Sequence, residues 1–291
     1  MKPVDIALAV LVAVVWGLGF IASRLALDEL SPALMNGVRF AIASIPCLFL
    51  RRPNVSWLVL IGISLPLFTL QFLAQSYAIV HSVPVGLMSV IVQSQALFTV
   101  AFAVIAFREI PTRAQVIGIG IATIGLLMIC GTVGYDFSVG AFAILMTCPV
   151  MFAVGNLMLR KARDVPMFDL FSWLFLISAL PLLALVPFTD GVQPAWQSLR
   201  NLSLTGIASV VFMGALTTSL AYRLWGGLLR DYTAAQVVPF ALLVPFVGSL
   251  SSSVVFGERF GPLRLAGMIT VVLGIAIMLF YGRARTLPRV A

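Results

Sequence analysis

Gln71 and Gln75 stand four residues apart in a stretch that is otherwise apolar, so on a helix they share one face. Further along, Gln93 belongs to a polar group with Ser89, Ser94, Gln95 and Thr99, while Arg39 and Asn156 interrupt two other apolar runs. Polar groups in such surroundings are costly to bury and call for partners. The chemistry they offer is holding by hydrogen bonds rather than breaking bonds. There is one histidine, His81, in a polar break, and no Asp or Glu lies deep in an apolar run. No nucleophile–base pair or metal-ligand spacing appears, and Cys47, Cys130 and Cys148 are widely separated, without disulfide or metal spacing. Neither an enzyme nor a cofactor or metal is expected.

Apolar contact surface accompanies these polar groups. Trp16, Phe20, Tyr77, Met88, Phe152, Met213, Tyr222 and Trp225 offer aromatic and thioether walls for a small amphipathic solute. Trp16 lies near the middle of its run beside Gly17 and Gly19, and its indole N–H needs a partner there. Trp57, Trp173, Trp196 and Trp225 suit an interfacial belt. Asn156 could take a carboxylate or an amine. Arg39 could meet an anion as a fork, although its place about 10 Å from the end of its run favours snorkelling or anchoring. Pro149, Pro239 and Pro245 withdraw helix hydrogen bonds and free carbonyls at mid-depth, as hinges or cavity walls do. Glu109 and Glu258 are expected to pair with nearby arginines and to cap helix ends.

The elements that must position these residues are membrane helices. Of the 291 residues, 61% are hydrophobic and 10% charged, which leaves too little polar surface for a soluble domain. Ten apolar segments are long enough to span a bilayer: 4–26, 32–50, 56–79, 83–107, 114–132, 138–160, 166–188, 202–222, 233–256 and 263–281. The first reads as a retained helix rather than a signal peptide. With the N-terminus inside, four of the 18 Lys and Arg residues fall outside (Arg24, Arg200, Arg259 and Arg264), Arg39 lies within a span and the rest are cytoplasmic. That bias places both termini in the cytoplasm. The net charge of +8 therefore reports orientation, and no nucleic-acid partner is expected.

The chain also repeats itself. Phe107, Glu109, Gly118 and Gly125 return as Phe256, Glu258, Gly267 and Gly274, all at an offset of 149 residues. The halves are 1–135 and 136–291. With five spans in each, the second must be inverted, as in alternating-access carriers. The glycines suit close helix packing, within the chain or in a dimer, and a monomer suffices to enclose a cavity.

The second half runs Ala221-Tyr222, Ala234-Ala235, Pro239, Pro245, Phe256-Gly257-Glu258-Arg259, Gly267 and Gly274, and the first has Trp16-Gly17 and Arg39-Phe40. This pattern resembles the EamA-type module of the drug/metabolite transporter superfamily, present twice and covering the whole chain. In detail it is most similar to the aromatic amino-acid exporters of the YddG type. The first copy departs by having Arg108-Glu109 for Gly-Glu. The resemblance implies an all-α integral membrane protein with ten transmembrane helices in two inverted five-helix repeats, in a bacterial inner membrane. It implies export of a small-molecule substrate. Together with the missing membrane acids, it favours small amphipathic zwitterions such as aromatic or sulfur amino acids. Purines, cationic drugs and a lipid-handling role are the alternatives.

Overall fold

The computed structural model describes residues 1–108, 110–134, 137–162 and 164–281. Glu109, Arg163, Arg283, Arg285 and Arg289, which entered the charge and capping arguments, lie outside the described residues. The secondary structure is helical, with no strand among the described residues.

Nine of these helices are long and apolar enough to cross a membrane. They are α1 (Pro3–Leu27), α3 (Trp57–Val80), α4 (Val85–Ala106), α5 (Arg113–Cys130), α6 (Val139–Ala162), α7 (Met167–Thr189), α8 (Leu204–Asp231), α9 (Val238–Phe256) and α10 (Pro262–Tyr281). The segment expected over 32–50 is shorter. It forms α2 (Pro32–Ala43) and then a 3-10 turn, Ile45–Leu48, because Pro46 cannot continue the α-helical ladder. The helix α8 runs past its expected end. It becomes amphipathic beyond Tyr222, and the long stems of Arg223 and Arg230 let charged heads reach polar surroundings from within a helix. A short helix, Val192–Arg200, was not expected at all. Its mixed polar and apolar residues fit a surface position.

The spans alternate in direction between a near end, where α1 begins, and a far end, where it finishes. Long-range contacts agree with this alternation. The Lys2 N–H donates to Tyr232 Oη at 3.3 Å at the near end, and Arg24 donates to the Ile79 carbonyl at 3.3 Å at the far end.

The repeated glycines show how the halves are related. A Cβ on Gly118 would meet the Gly274 carbonyl oxygen at 2.5 Å, and one on Gly125 would meet that of Gly267 at 2.7 Å. The earlier glycine of α5 thus faces the later one of α10, so these equivalent helices cross antiparallel and the second copy is inverted. Lipid is as apolar as a leucine side chain, so close backbone approach must supply the packing energy that hydrophobic burial supplies in water. The remaining contacts exchange in the same way. α1 packs on α8 and α9, its counterpart α6 packs on α3 and α4, and α2 packs on α7.

Departures from regular helix are repeated too. π-helical stretches occupy Leu65–Leu70 in α3 and Phe212–Leu220 in α8, and 3-10 turns occupy Val92–Ser94 in α4 and Val238–Leu242 in α9. Arg108 and Gly257 both adopt the left-handed conformation, with φ of 54° and 67°. Of the three prolines expected to act as hinges, Pro239 lies in the 3-10 turn of α9 and Pro245 just after it. Pro149 sits inside an α-helix that continues unbroken from Val139 to Leu159.

Candidate functional site

The irregular stretches of α4, α8 and α9, with the part of α3 that follows its π-helical stretch, border a cavity of about 520 Å³ to which every span except α5 contributes, a size usual for small-molecule sites. Trp16, Phe20, Arg39, Gln71, Gln75, Gln93, Asn156 and Tyr222 all line it. The sequence thus brought eight of its candidates to one place, although they come from six different helices.

Other candidates lie elsewhere. Met88 is fully buried in the packed core around Leu87, Val90 and Ile91. Tyr77 is 43% exposed and stacks on His81 with ring centroids 4.0 Å apart. Both sit on helices that reach the cavity, but the 3-10 turn at Val92–Ser94 changes the rotation per residue. The wall that carries Gln93 therefore does not continue back to Met88. Tyr77 lies beyond Gln75 towards the far end, where α3 has left the cavity.

Trp16 finds its partner on α8, its Nε1–H donating to the Thr217 carbonyl oxygen at 3.0 Å. Its ring packs on Tyr222 and Trp225, at 5.7 and 5.0 Å between centroids. Trp225 therefore belongs to the cavity and not to an interfacial belt. Tyr222 continues the aromatic wall through Phe171, 5.0 Å away, and Phe68, 5.8 Å away.

Arg39 does not snorkel. It is 6% exposed, and its Nε–H donates to Thr218 Oγ1 at 3.0 Å while an Nη2–H donates to Thr217 Oγ1 at 3.4 Å. Its guanidinium carbon lies 4.3 Å from the centroid of the Phe72 ring, within cation–π range. The π-helical stretch of α8 prepares this seat. Thr217 and Thr218 both donate their hydroxyls to the Met213 carbonyl, at 2.7 and 2.8 Å, which turns both oxygens into acceptors for the arginine. No carboxylate of the described residues pairs with Arg39. Sequence reasoning missed Thr217, Thr218, Phe72 and Phe171. The adjacent threonines in an apolar run were the signal that could have found the first two.

Further polar atoms are unmatched. Gln71 Oε1 and Gln95 Oε1 are buried and make no hydrogen bond among the described residues, and both side chains line the cavity. Gln93 is committed instead, its Nε2–H donating to the Ala241 carbonyl of α9 at 2.8 Å.

The helices α1, α4 and α9 pack closely beside the cavity. A Cβ on Gly17 would meet Val247 Cβ at 2.6 Å, and one on Gly248 would meet Ser89 Cβ at 2.6 Å, so α1, α4 and α9 touch there. Glu258, expected to pair with an arginine and to cap a helix end, does cap one, accepting the backbone N–H groups of Val85 and Gly86, at 2.6 and 2.9 Å. The lining residues of α6, α7, α9 and α10 come from the near-end halves of those helices, whereas those of α1 and α3 come from the far-end halves.

Comparison with known proteins agrees with this architecture. The profile of the EamA-like transporter family matches residues 4–131 and again 139–280. A probable amino-acid metabolite efflux pump of Salmonella typhimurium is 34% identical over the full length of both chains. Its namesake in Escherichia coli is 30% identical, covering 100% of this chain and 99% of the other. A probable terminal-alkyne amino-acid exporter of Streptantibioticus cattleyicolor is 28% identical, covering 96% of this chain and 93% of that one. A protein of known crystal structure shares the fold, with a TM-score of 0.67 at 17% identity over 97% of this chain and 99% of its own. Two matches to one module, full-length relatives and nine membrane-length helices with the shorter α2 among the described residues lead to one assignment: the chain is a multi-pass membrane protein that belongs to the EamA-like transporter family.

Proposed function

We propose that the chain is an alternating-access carrier that exports small amphipathic zwitterions, above all aromatic and sulfur-containing amino acids, from the cytoplasm. The observation that carries this reading is Arg39, a buried guanidinium on an aromatic cavity with no carboxylate partner among the described residues. A buried charge is stable when it is paired, and a substrate carboxylate would complete it as a charge-assisted fork. The free carbonyl oxygens of Gln71 and Gln95 are acceptors for an ammonium group. Arg39, Gln71 and Gln95 line the same cavity, so each pole of an amino acid has a partner on its wall. Trp16, Tyr222 and Trp225 suit its side chain. A cationic drug would meet an unbalanced positive charge.

In this reading the halves 1–135 and 136–291 are the two inverted repeats that rock about the cavity, with bends at Pro239 and Pro245. The excess of Lys and Arg at the near end puts that end and both termini in the cytoplasm. That end is then the loading side of a carrier in a bacterial inner membrane.

The test is binding to the purified protein, read by tryptophan fluorescence because Trp16 and Trp225 line the cavity. Methionine should give a saturable change, and Arg39→Ala should weaken it by tenfold or more, the size of one charge-assisted hydrogen bond. Methionine lacking its carboxylate should bind at least tenfold more weakly to the unaltered protein. Equal binding of the two ligands would refute the reading whatever the variant does.

A further inference from the structure

Five spans are capped at their N-termini by their own Ser or Thr. Ser31, Ser56, Thr112, Ser138 and Ser203 accept the N–H three residues on, in α2, α3, α5, α6 and α8. The helix α4 is different. Its N-cap is Pro84, which offers no side-chain acceptor. Its first two N–H groups are taken by Glu258, more than 170 residues away in the other half of the chain.

A local cap survives any movement of its helix, whereas this one breaks as soon as α4 and α9 separate at the far end. The surroundings make it the centre of a joint between the halves. Gly257, with φ of 67°, turns the chain so that Glu258 points back over α4. The Ser249 hydroxyl donates to the Gly86 carbonyl at 3.2 Å. A Cβ on Gly86 would meet Phe260 Cζ at 2.7 Å and Ser249 Cα at 3.0 Å. Every residue from Val85 to Ile91 is buried. The near-end stretch of α4, by contrast, borders the cavity through Gln95, Ala96, Thr99 and Val100. The same two helices thus meet at one end and part at the other.

We propose that the Glu258 carboxylate is a latch: by capping α4 it holds the far-end parts of α4 and α9 together and closes the cavity there, and its release opens the far end. The offset of 149 residues that relates Glu258 to Glu109 also relates Val85 and Gly86 to Ala234 and Ala235, so the sequence supplies the same acceptor and a small residue in place of Gly86 in the other copy. The proposal rests on the carrier reading above but not on the identity of the solute.

The test needs no solute. Cys47, Cys130 and Cys148 are replaced by serine, and Ala96→Cys places a thiol on the cavity wall. A membrane-impermeant charged thiosulfonate is then applied from either side, using intact cells and inverted vesicles. In the parent, the thiol should react quickly from the near side and slowly from the far side. Glu258→Ala should raise the far-side rate about tenfold, as expected when one charge-assisted contact no longer holds a two-state equilibrium. The near-side rate should not rise, which separates opening from general loosening. Should Glu258→Ala fail to fold, Gly86→Ala wedges the same joint apart with the carboxylate intact and should give the same one-sided gain. An unchanged far-side rate in the folded variant, or equal gains from both sides, would overturn the proposal.

Discussion

Replacing Gln93 by leucine probes the seam between the two halves of the cavity. In a regular helix the Ala241 carbonyl would accept the N–H of residue 245, but that residue is Pro245, which has none. The Gln93 amide fills the place from α4 at 2.8 Å. Cross-helix hydrogen bonds in membranes average about 0.6 kcal/mol and reach about 1.7, while a stranded buried acceptor costs about 1–3. Ala241 lines the cavity, where water can partly replace the amide, so the lower part of that range applies. Gln93→Leu should cost about 1 kcal/mol, a fall in Tm of about 2–3 °C for a chain of this size. Pro245→Ala restores a backbone N–H at the right register. In that background Gln93→Leu should cost less than half as much, giving a coupling of about 0.5–1 kcal/mol in a double-mutant cycle. Thermal unfolding of the four detergent-solubilised proteins, followed by size-exclusion chromatography, reads the cycle. Strictly additive Tm changes would refute the idea that Gln93 substitutes for the N–H missing at Pro245.

Two further outcomes follow from the ends of the helices. Arg108 occupies the left-handed position that Gly257 holds in the other copy, at a steric cost of about 1–2 kcal/mol. Arg108→Gly should therefore raise Tm by about 2 °C, less if the longer side chain has local partners, and a fall would contradict the argument. At the far end the Glu29 carboxylate accepts both the hydroxyl and the backbone N–H of Ser203, at 2.5 and 2.7 Å, and these bonds hold its pKa below the ordinary carboxylate value. The stability it contributes is present above the unfolded-state pKa and is lost as pH falls through the lowered folded-state value. The Tm advantage of the unaltered protein over Glu29→Gln should accordingly be constant near neutrality and disappear in acid below the usual carboxylate range. An advantage that persists there would show that the charge is not its source.

The repeat was the most legible part of this chain. Gly118, Gly125, Gly267 and Gly274 stood at one offset, and the structure sets each against a glycine of the other copy. The same sequence could not say how each helix is rotated about its axis. In a membrane, lipid-facing and core-facing residues are equally apolar, so periodicity loses the contrast it has in water. Met88 was misread for that reason and placed on the cavity, and Trp225 was left between the cavity and the interface. The seat of Arg39 depends on a π-helical stretch that turns Thr217 and Thr218 together, and no local pattern announces it. The end of α2 was within reach, because Pro46 stood inside the expected segment.

The central claim is that this cavity carries amino acids, and uptake of labelled phenylalanine and methionine into proteoliposomes of the purified protein tests it most directly. The account predicts saturable uptake above empty liposomes, abolished by Trp16→Ala and reduced at least tenfold by Arg39→Ala. Absence of uptake with folded, reconstituted protein, or transport that survives both substitutions unchanged, would contradict it.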